Sequence, residues 1–344
     1  MISSPIFQEY VHSAGFLSAL DLPSDSDLKF SPLGQGEYNL NFRFTHPATK
    51  QELVLRVNTG SQMHLADQIG YEFSALKALE ESGRTPKALF CDSSRSILPY
   101  GTLVMEWLPG RPLRYETDMS AAAEILADIH ALPVNADSPL LRPDHPLQSI
   151  YEECLSMVEH YFQWDAASPS VCRLLEEMIR VIGSLPLRSA GEAPSCIVNT
   201  ELNSGNFLIN DGGRSFLIDW EKPLLSEPSQ DLGHFLVPTT TFWKTDVILS
   251  PEDISRFVDR YISAAAGRFD TAEIRERLPL YFSTTCLRGV TWCAMAMVEY
   301  SAPGRAISNG DTFRKIRQYL EEDFLRSILD NYMRRNFLEQ EHGR

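Results

Sequence analysis

Three polar side chains in one short stretch have the types and the spacing to act on a phosphoryl group. In Cys196–Glu221, CIVNTELNSGNFLINDGGRSFLIDWE, Glu201 is followed five residues later by Asn206 and thirteen residues after that by Asp219. Phosphoryl transfer asks little covalent chemistry of a protein. It asks for a metal ion, for positioning and for a carboxylate at the attacking hydroxyl. Phe207–Asn210 and Ser215–Ile218 read as two short β-rich runs, joined by the hairpin turn Asp211-Gly212-Gly213. A hairpin of that kind puts Asn206 and Asp219 at one end, where both reach a single Mg²⁺. Glu201 is then the carboxylate that orients the hydroxyl and relieves it of its proton, which requires an oxygen within about 2.6–3.2 Å.

The elements that must position these groups are β-rich first and helical later. Leu28–Phe30 leads into Ser31–Asn39, which holds Gly34 and Gly36, and alternation resumes at Leu40–Phe44. Glu52–Val57 is a strand by composition. Gly34 and Gly36 are therefore expected in a turn between two strands. A dinucleotide fingerprint would need a helix to follow, and a strand follows instead. Ala66–Ser82 is a helix, with Ile69, Phe73, Leu76 and Leu79 at helical spacing and Glu72 beside Phe73. Gly101–Gly110 is a strand running into Leu108-Pro109-Gly110. Met119–Leu132 is a helix that ends at His130, which reads as a locally satisfied helix-end histidine. Pro139–Pro146 is a loop, and Tyr151–Leu185 reads as two helices broken at Ser168-Pro169.

Composition sets the bounds. The 344 residues are enough for two lobes with a core each. A net charge of −15 argues against nucleic acid or an anionic membrane surface as partner. The six cysteines show no C-x-x-C and no paired spacing with histidine, so they read as buried thiols in a reducing compartment. No signal peptide is visible, and the most apolar helix-like stretch, Cys286–Tyr300, is too short to span a bilayer. A cytoplasmic location is expected.

The kinase catalytic loop reads H-R-D-x-x-x-x-N and is followed by a metal-binding Asp. Here Asn199 and Glu201 stand at the His and Asp positions, with Asn206 and Asp219 in register. Ile218-Asp219-Trp220-Glu221 and Asn206-Phe207-Leu208 resemble the aminoglycoside phosphotransferase/choline kinase family, whose loop resembles H-G-D-x-x-x-x-N-x-L. The resemblance runs from about Ser31 to Leu236 and departs at Asn199-Thr200-Glu201.

It implies an α+β, bilobal, protein-kinase-like fold: a small antiparallel β lobe over residues 1–104, a hinge at 105–110 and a larger helical lobe over 111–344. It further implies ATP and Mg²⁺ as cofactors. Gly34 and Gly36 would cover the phosphates, Arg56 would be the phosphate-binding cation, and Glu72 would be its partner. Met105 would control the pocket depth, while Glu106 and Leu108 would meet the adenine edge through their backbones. Asn206 and Asp219 would hold the metal, Glu201 would be catalytic, and Asp231 would brace the loop from below. Late-helix residues, among them Tyr281, Arg288, Trp292 and Glu299, would wall the acceptor pocket, or simply form core.

The reaction so implied moves the γ-phosphoryl group of ATP to a hydroxyl of a small molecule. The alternative from another class is an ATP-binding pseudokinase or regulatory scaffold without turnover, because the catalytic-loop His and Asp positions are Asn199 and Glu201, and glutamate reaches over an ångström further than aspartate. A misplacement of about 1 Å can cost ~10²-fold. A set-back loop or a smaller acceptor would accommodate the extra methylene. The acceptor, the choice of ATP over GTP and the oligomeric state are left open by the sequence.

Overall fold

Large apolar residues alternate with polar ones along 39–45 and, apart from Val54, along 52–58, which dictates a sheet with different chemistry on its two faces. In the computed structural model, which describes residues 2, 4–36, 38–61, 63–189, 195–302 and 310–334, these runs are the centre of an antiparallel five-stranded sheet. Its strands are β1 (Ser31–Gln35), β2 (Asn39–Thr45), β3 (Glu52–Asn58), β4 (Ala88–Asp92) and β5 (Gly101–Glu106), in the order β1-β2-β3-β5-β4. Later strands are β6 (Arg111–Pro112), β7 (Cys196–Val198), β8 (Phe207–Ile209), β9 (Phe216–Leu217) and β10 (Leu224–Ser226).

The first helices are α1 (Pro5–Val11), α2 (Ala14–Ala19), α3 (Gln68–Leu79), α4 (Met119–His130), α5 (Pro146–Phe162) and α6 (Pro169–Gly183). They are followed by α7 (Pro228–Leu236), α8 (Pro238–Thr245), α9 (Pro251–Ala265), α10 (Ile274–Ser301), α11 (Gly310–Tyr319) and α12 (Glu322–Ile328). The chain divides into two compact units, and neither is one run of sequence. The first is Met1–Pro112 with Leu132–Leu141 and Asn206–Pro223; the second is Leu113–Ala131, Arg142–Gly205 and Leu224–Arg344.

In the first unit the sheet is covered on both faces, which is why β3 is buried along nearly its whole length. Phe42, Phe44, Leu53, Leu55, Val57 and Val104 pack against Phe7, Tyr10, Val11, Phe16 and Leu17 of α1 and α2. Ser4 and Ser13 cap these two helices, each side chain accepting from the backbone N–H three residues on. The opposite face carries Asn41, Val54, Arg56 and Met105, which line a cavity. The same unit recruits the hairpin β8–β9, which joins β6 in a small three-stranded sheet.

Gly34 is not in the turn expected for it. It lies in β1 paired with Asn41, beyond a register shift between Pro32 and Gly34. β1 is the edge of the sheet, where a proline without an N–H and an adjacent bulge are both tolerated. Only Gly36 is in the turn, its N–H donating to the Asn39 carbonyl at 2.9 Å.

In the second unit α10, 28 residues long, packs against α5 and α7, and α4 packs against α9. Arg277 of α10 makes a two-point ion pair with Glu227, whose carboxylate also accepts from the Tyr281 hydroxyl at 2.6 Å. Among the described residues no helix is long and apolar enough to cross a membrane.

Gly110 ends the segment after β5 at φ +145°, where a Cβ would come within 3.0 Å of the Cα, C and Cβ atoms of Leu208. Neither the torsion nor the contact admits a side chain. Gly110→Ala should therefore cost about 1–3 kcal/mol, read by denaturant unfolding. Gly212→Ala, where nothing lies within 4 Å of the added carbon, is the control. Equal midpoints for the two variants would mean that the close approach to Leu208 does not exist.

Candidate active site

In the first unit the polar residues of the cavity are set by strand register. Gly34, Asn41, Arg56 and Leu103 are cross-strand partners in one row across β1, β2, β3 and β5. Arg56 therefore points away from the α1–α2 core. Its Nη1 donates to Glu72 Oε1 at 2.5 Å and to Asp219 Oδ1 at 3.3 Å, and its Nε donates to Asn41 Oδ1 at 3.0 Å. Nη2 has no partner among the described residues. Burial works against the charge of Arg56, but the carboxylates of Glu72 and then Asp219 more than restore it, holding the guanidinium above its usual value. Burial pushes the Glu72 carboxyl up, with Arg56 opposing it. Glu72 Oε2 is buried without a hydrogen bond among the described residues.

Helix α3 delivers Glu72 because Ile69, Glu72, Leu76 and Leu79 recur at three- and four-residue spacing and all are buried. Its N-terminal turns are fastened to the segment after Asp219. Gln68 Nε2 donates to the Glu221 carbonyl at 2.7 Å, and the Tyr71 hydroxyl donates to the Pro223 carbonyl at 2.5 Å. The β8–β9 hairpin pairs Phe207 with Leu217, and the Ile218 N–H donates to the Asn206 carbonyl at 2.9 Å. Asn206 and Asp219 thus come to the same end of the hairpin, and both line the cavity. Asp219 takes φ +68°, a left-handed torsion. The Glu221 carboxylate accepts from Asn39 Nδ2, and Asn39 Oδ1 accepts from Asn58 at 2.9 Å.

The cavity has a volume of about 440 Å³, with Val54, Met105, Leu208 and Ile218 as apolar walls. At its edge the Glu106 N–H is spent on the Lys87 carbonyl at 3.0 Å, so its carbonyl is the backbone group it can offer. The Leu108 N–H makes no hydrogen bond among the described residues.

In the second unit the loop that follows β7 is held by Asp231. Oδ2 accepts from the Asn199 N–H at 2.8 Å and Oδ1 from the Thr200 N–H at 2.9 Å. His130 Nε2 lies 3.3 Å from Oδ2 and His130 Nδ1 2.7 Å from the Tyr261 hydroxyl. An ionised Asp only accepts, so Nε2 carries the proton and Nδ1 accepts from Tyr261. Burial keeps the Tyr261 hydroxyl protonated by raising its pKa well above the usual value.

Thr200 is at φ +68°, a torsion rarely taken by a β-branched residue. Its carbonyl lies 3.4 Å from Arg288 Nη1, and Arg288 is paired with Glu153 through Nε at 2.8 Å. Asn199 is fully buried and its side chain accepts from the Glu201 N–H at 3.1 Å. Glu201 is half-buried and lies in the electrostatic field of Arg288.

Residues 29–277 match the phosphotransferase enzyme family, APH. The chain belongs to this family. Solved structures similar to it include the ethanolamine kinase of Plasmodium vivax, 16% identical with a TM-score of 0.63 over 94% of this chain and 89% of that one. The choline kinase of Cryptosporidium parvum is 13% identical, with a TM-score of 0.60 over 94% and 96%. The amicoumacin kinase in complex with AMP-PNP, Ca²⁺ and Ami is 14% identical, with a TM-score of 0.59 over 88% of each chain. The fold is α+β and protein-kinase-like, as the family resemblance implied. No curated protein sequence matches the chain.

Within the family's fold, the structure brings Gly34, Arg56, Glu72, Met105, Glu106, Leu108, Asn206 and Asp219 to one cavity. Gly36 is not among the residues that line it, and Glu201 belongs to the second unit. Phe73 is half-exposed, so Glu72 is inward by its own spacing from Ile69 and Leu76 and not by adjacency to Phe73. His130, read from the sequence as satisfied locally, is instead part of the brace beneath the loop. Asn41 and Gln68 join the framework of the first unit's cavity unassigned by sequence, and Arg288, read as pocket wall or core, supports the loop of the second unit. Each contacts a residue distant in the chain, and only strand register offered a signal for Asn41.

Asp231 supplies both of its oxygens to buried N–H groups, whereas an asparagine has one acceptor oxygen. Asp231→Asn should lose about 1–3 kcal/mol of stability, the cost of a buried donor left unmade, and chemical denaturation would measure it. An unchanged unfolding midpoint would show that the two N–H groups do not depend on this carboxylate.

Proposed function

We propose that this chain is a small-molecule kinase that moves the γ-phosphoryl group of ATP to a hydroxyl, using Mg²⁺. The observation that carries the reading is the Arg56–Glu72 ion pair, which shares one cavity with Asn206 and Asp219. A buried cation with two unspent N–H groups on Nη2 suits phosphate oxygens. The adenine edge requires one acceptor and one donor, and the Glu106 carbonyl and Leu108 N–H are of those kinds. At Gly34 an added Cβ would meet no atom within 4 Å, so glycine there keeps space that the protein itself does not fill. The volume of about 440 Å³ suits a ligand of nucleotide size.

The donor set suits the metal. Among the described residues no group of three or more His, Cys, Asp or Glu side chains could hold an ion. Mg²⁺ commonly takes one or two side chains and completes its shell with phosphates and water. Asn206 and Asp219 would hold it. Bound Mg·ATP supplies the phosphoryl group and the neutralising charge.

The chain's own residues divide the remaining work. Arg56 binds phosphate oxygens, Glu72 fixes the direction of Arg56, and Met105 limits the depth of the cavity. Glu201 orients the acceptor hydroxyl and takes its proton. The similar ethanolamine, choline and amicoumacin kinases support a small hydroxylated acceptor, and amino alcohols, sugars and aminoglycosides are the classes to screen.

ADP release and ³¹P NMR of the product, run across those classes, test the function. With an acceptor found, Glu201→Gln should keep Mg·ATP affinity within a few-fold while lowering turnover by roughly 10²–10⁴, the worth of a positioned base. A loose transition state puts the drop toward the low end. Equal turnover in wild type and Glu201→Gln would remove Glu201 from the chemistry. ATP binding without turnover on any acceptor would favour a non-catalytic nucleotide-binding protein.

A further inference from the structure

Arg56 is held by more than its carboxylate partners, and we infer that Asn41 is a positioning residue that aims its guanidinium at the nucleotide phosphates. The inference rests on the nucleotide reading of the cavity. A guanidinium has five N–H groups in one plane. Nε–H is fixed by Asn41 Oδ1 at 3.0 Å, and Nη1 by Glu72 at 2.5 Å and Asp219 at 3.3 Å. Three contacts from three elements, β2, α3 and the segment after β9, define the plane of the fork. They leave Nη2 as the edge without a protein partner, on a residue only 7% exposed that lines the cavity.

Of these contacts only the one with Asn41 is directional without adding charge. Glu72 and Asp219 both act on Nη1, whereas the amide oxygen acts on Nε and selects the rotation that puts Nε–H toward β2. The register makes this inevitable, because Asn41 and Arg56 are direct cross-strand partners and their side chains share a face. Gly34, the next partner along the row, carries no side chain that could compete for Asn41. A lysine in place of Arg56 has no Nε–H, so the role of Asn41 exists only with arginine.

The test is calorimetric titration with Mg·ATP and, separately, adenosine, which shares the base but carries no phosphate. Asn41→Leu should weaken Mg·ATP binding roughly tenfold, the worth of one hydrogen bond to a charged group, and leave adenosine binding within twofold. In an Arg56→Lys background Asn41→Leu should have no further effect, since coupling requires both partners. Asn41→Val, a strong strand former with no acceptor, should give the same result and guards against misfolding of the leucine variant. Equal losses for both ligands, no loss for Mg·ATP, or full additivity with Arg56→Lys would overturn the inference alone. Wild-type protein that binds neither ligand would overturn the nucleotide reading and the inference with it.

Discussion

The first unit depends on one buried ion pair, Arg56 with Glu72. Taking two charges out of water is costly, and it is tolerated only where geometry and further hydrogen bonds compensate. Here the compensation comes from the whole construction of the unit. Sheet register places Arg56 on the cavity face opposite the aromatic core of α1 and α2. The apolar spacing of α3 brings Glu72 to it. Asp219 adds a second carboxylate, and Asn41 accepts from the guanidinium Nε–H, while Nη2 stays open to the cavity. Because Gln68 and Tyr71 fasten α3 to Glu221 and Pro223, the helix that carries Glu72 and the hairpin that carries Asn206 and Asp219 cannot shift independently. An arginine suits this arrangement better than a lysine would, since its rigid planar fork carries an Nε–H for Asn41 and keeps Nη2 free, whereas the donors of an ammonium rotate about one nitrogen.

In the second unit the loop after β7 is fixed by its surroundings. Asn199-Thr200-Glu201 stands where the family's pattern resembles His-Gly-Asp, and Thr200 occupies a left-handed torsion that glycine would take without penalty. A residue held there costs of order 1–3 kcal/mol and persists only where its surroundings fix it. Asp231 holds the N–H of Thr200, and Arg288 lies at its carbonyl. Asn199 braces the loop by accepting from the Glu201 N–H. His130 and Tyr261 complete the support below Asp231. The left-handed torsions at Thr200 and at Asp219 fall in the two segments for which phosphoryl chemistry is proposed.

Local signals made parts of this legible in the sequence. The β8–β9 hairpin follows from two apolar runs and a Gly-Gly turn, so the common end shared by Asn206 and Asp219 could be read directly. The α+β class follows from strand periods giving way to helical ones. Gly34 was harder, because a turn and an edge strand with a bulge both place glycines between apolar runs. α1, α2 and β4 went unread, although the Ser4-Pro5 start and Ser13 are cap signals. The contacts of Asn41, Gln68, His130 and Arg288 could not be found locally, since each acts on a residue from another element. Such contacts are fixed by tertiary packing, which single-sequence patterns do not encode.

The central claim is that this cavity holds a nucleotide through a metal bound by Asp219 and through Arg56. Calorimetric titration of ATP into wild type and Asp219→Asn, with Mg²⁺ and with EDTA, tests it most directly. The account predicts that Mg²⁺ strengthens ATP binding to wild type by tenfold or more, and that Asp219→Asn abolishes this metal dependence while remaining folded. Absence of nucleotide binding in every condition, or the same metal dependence in both proteins, would contradict it.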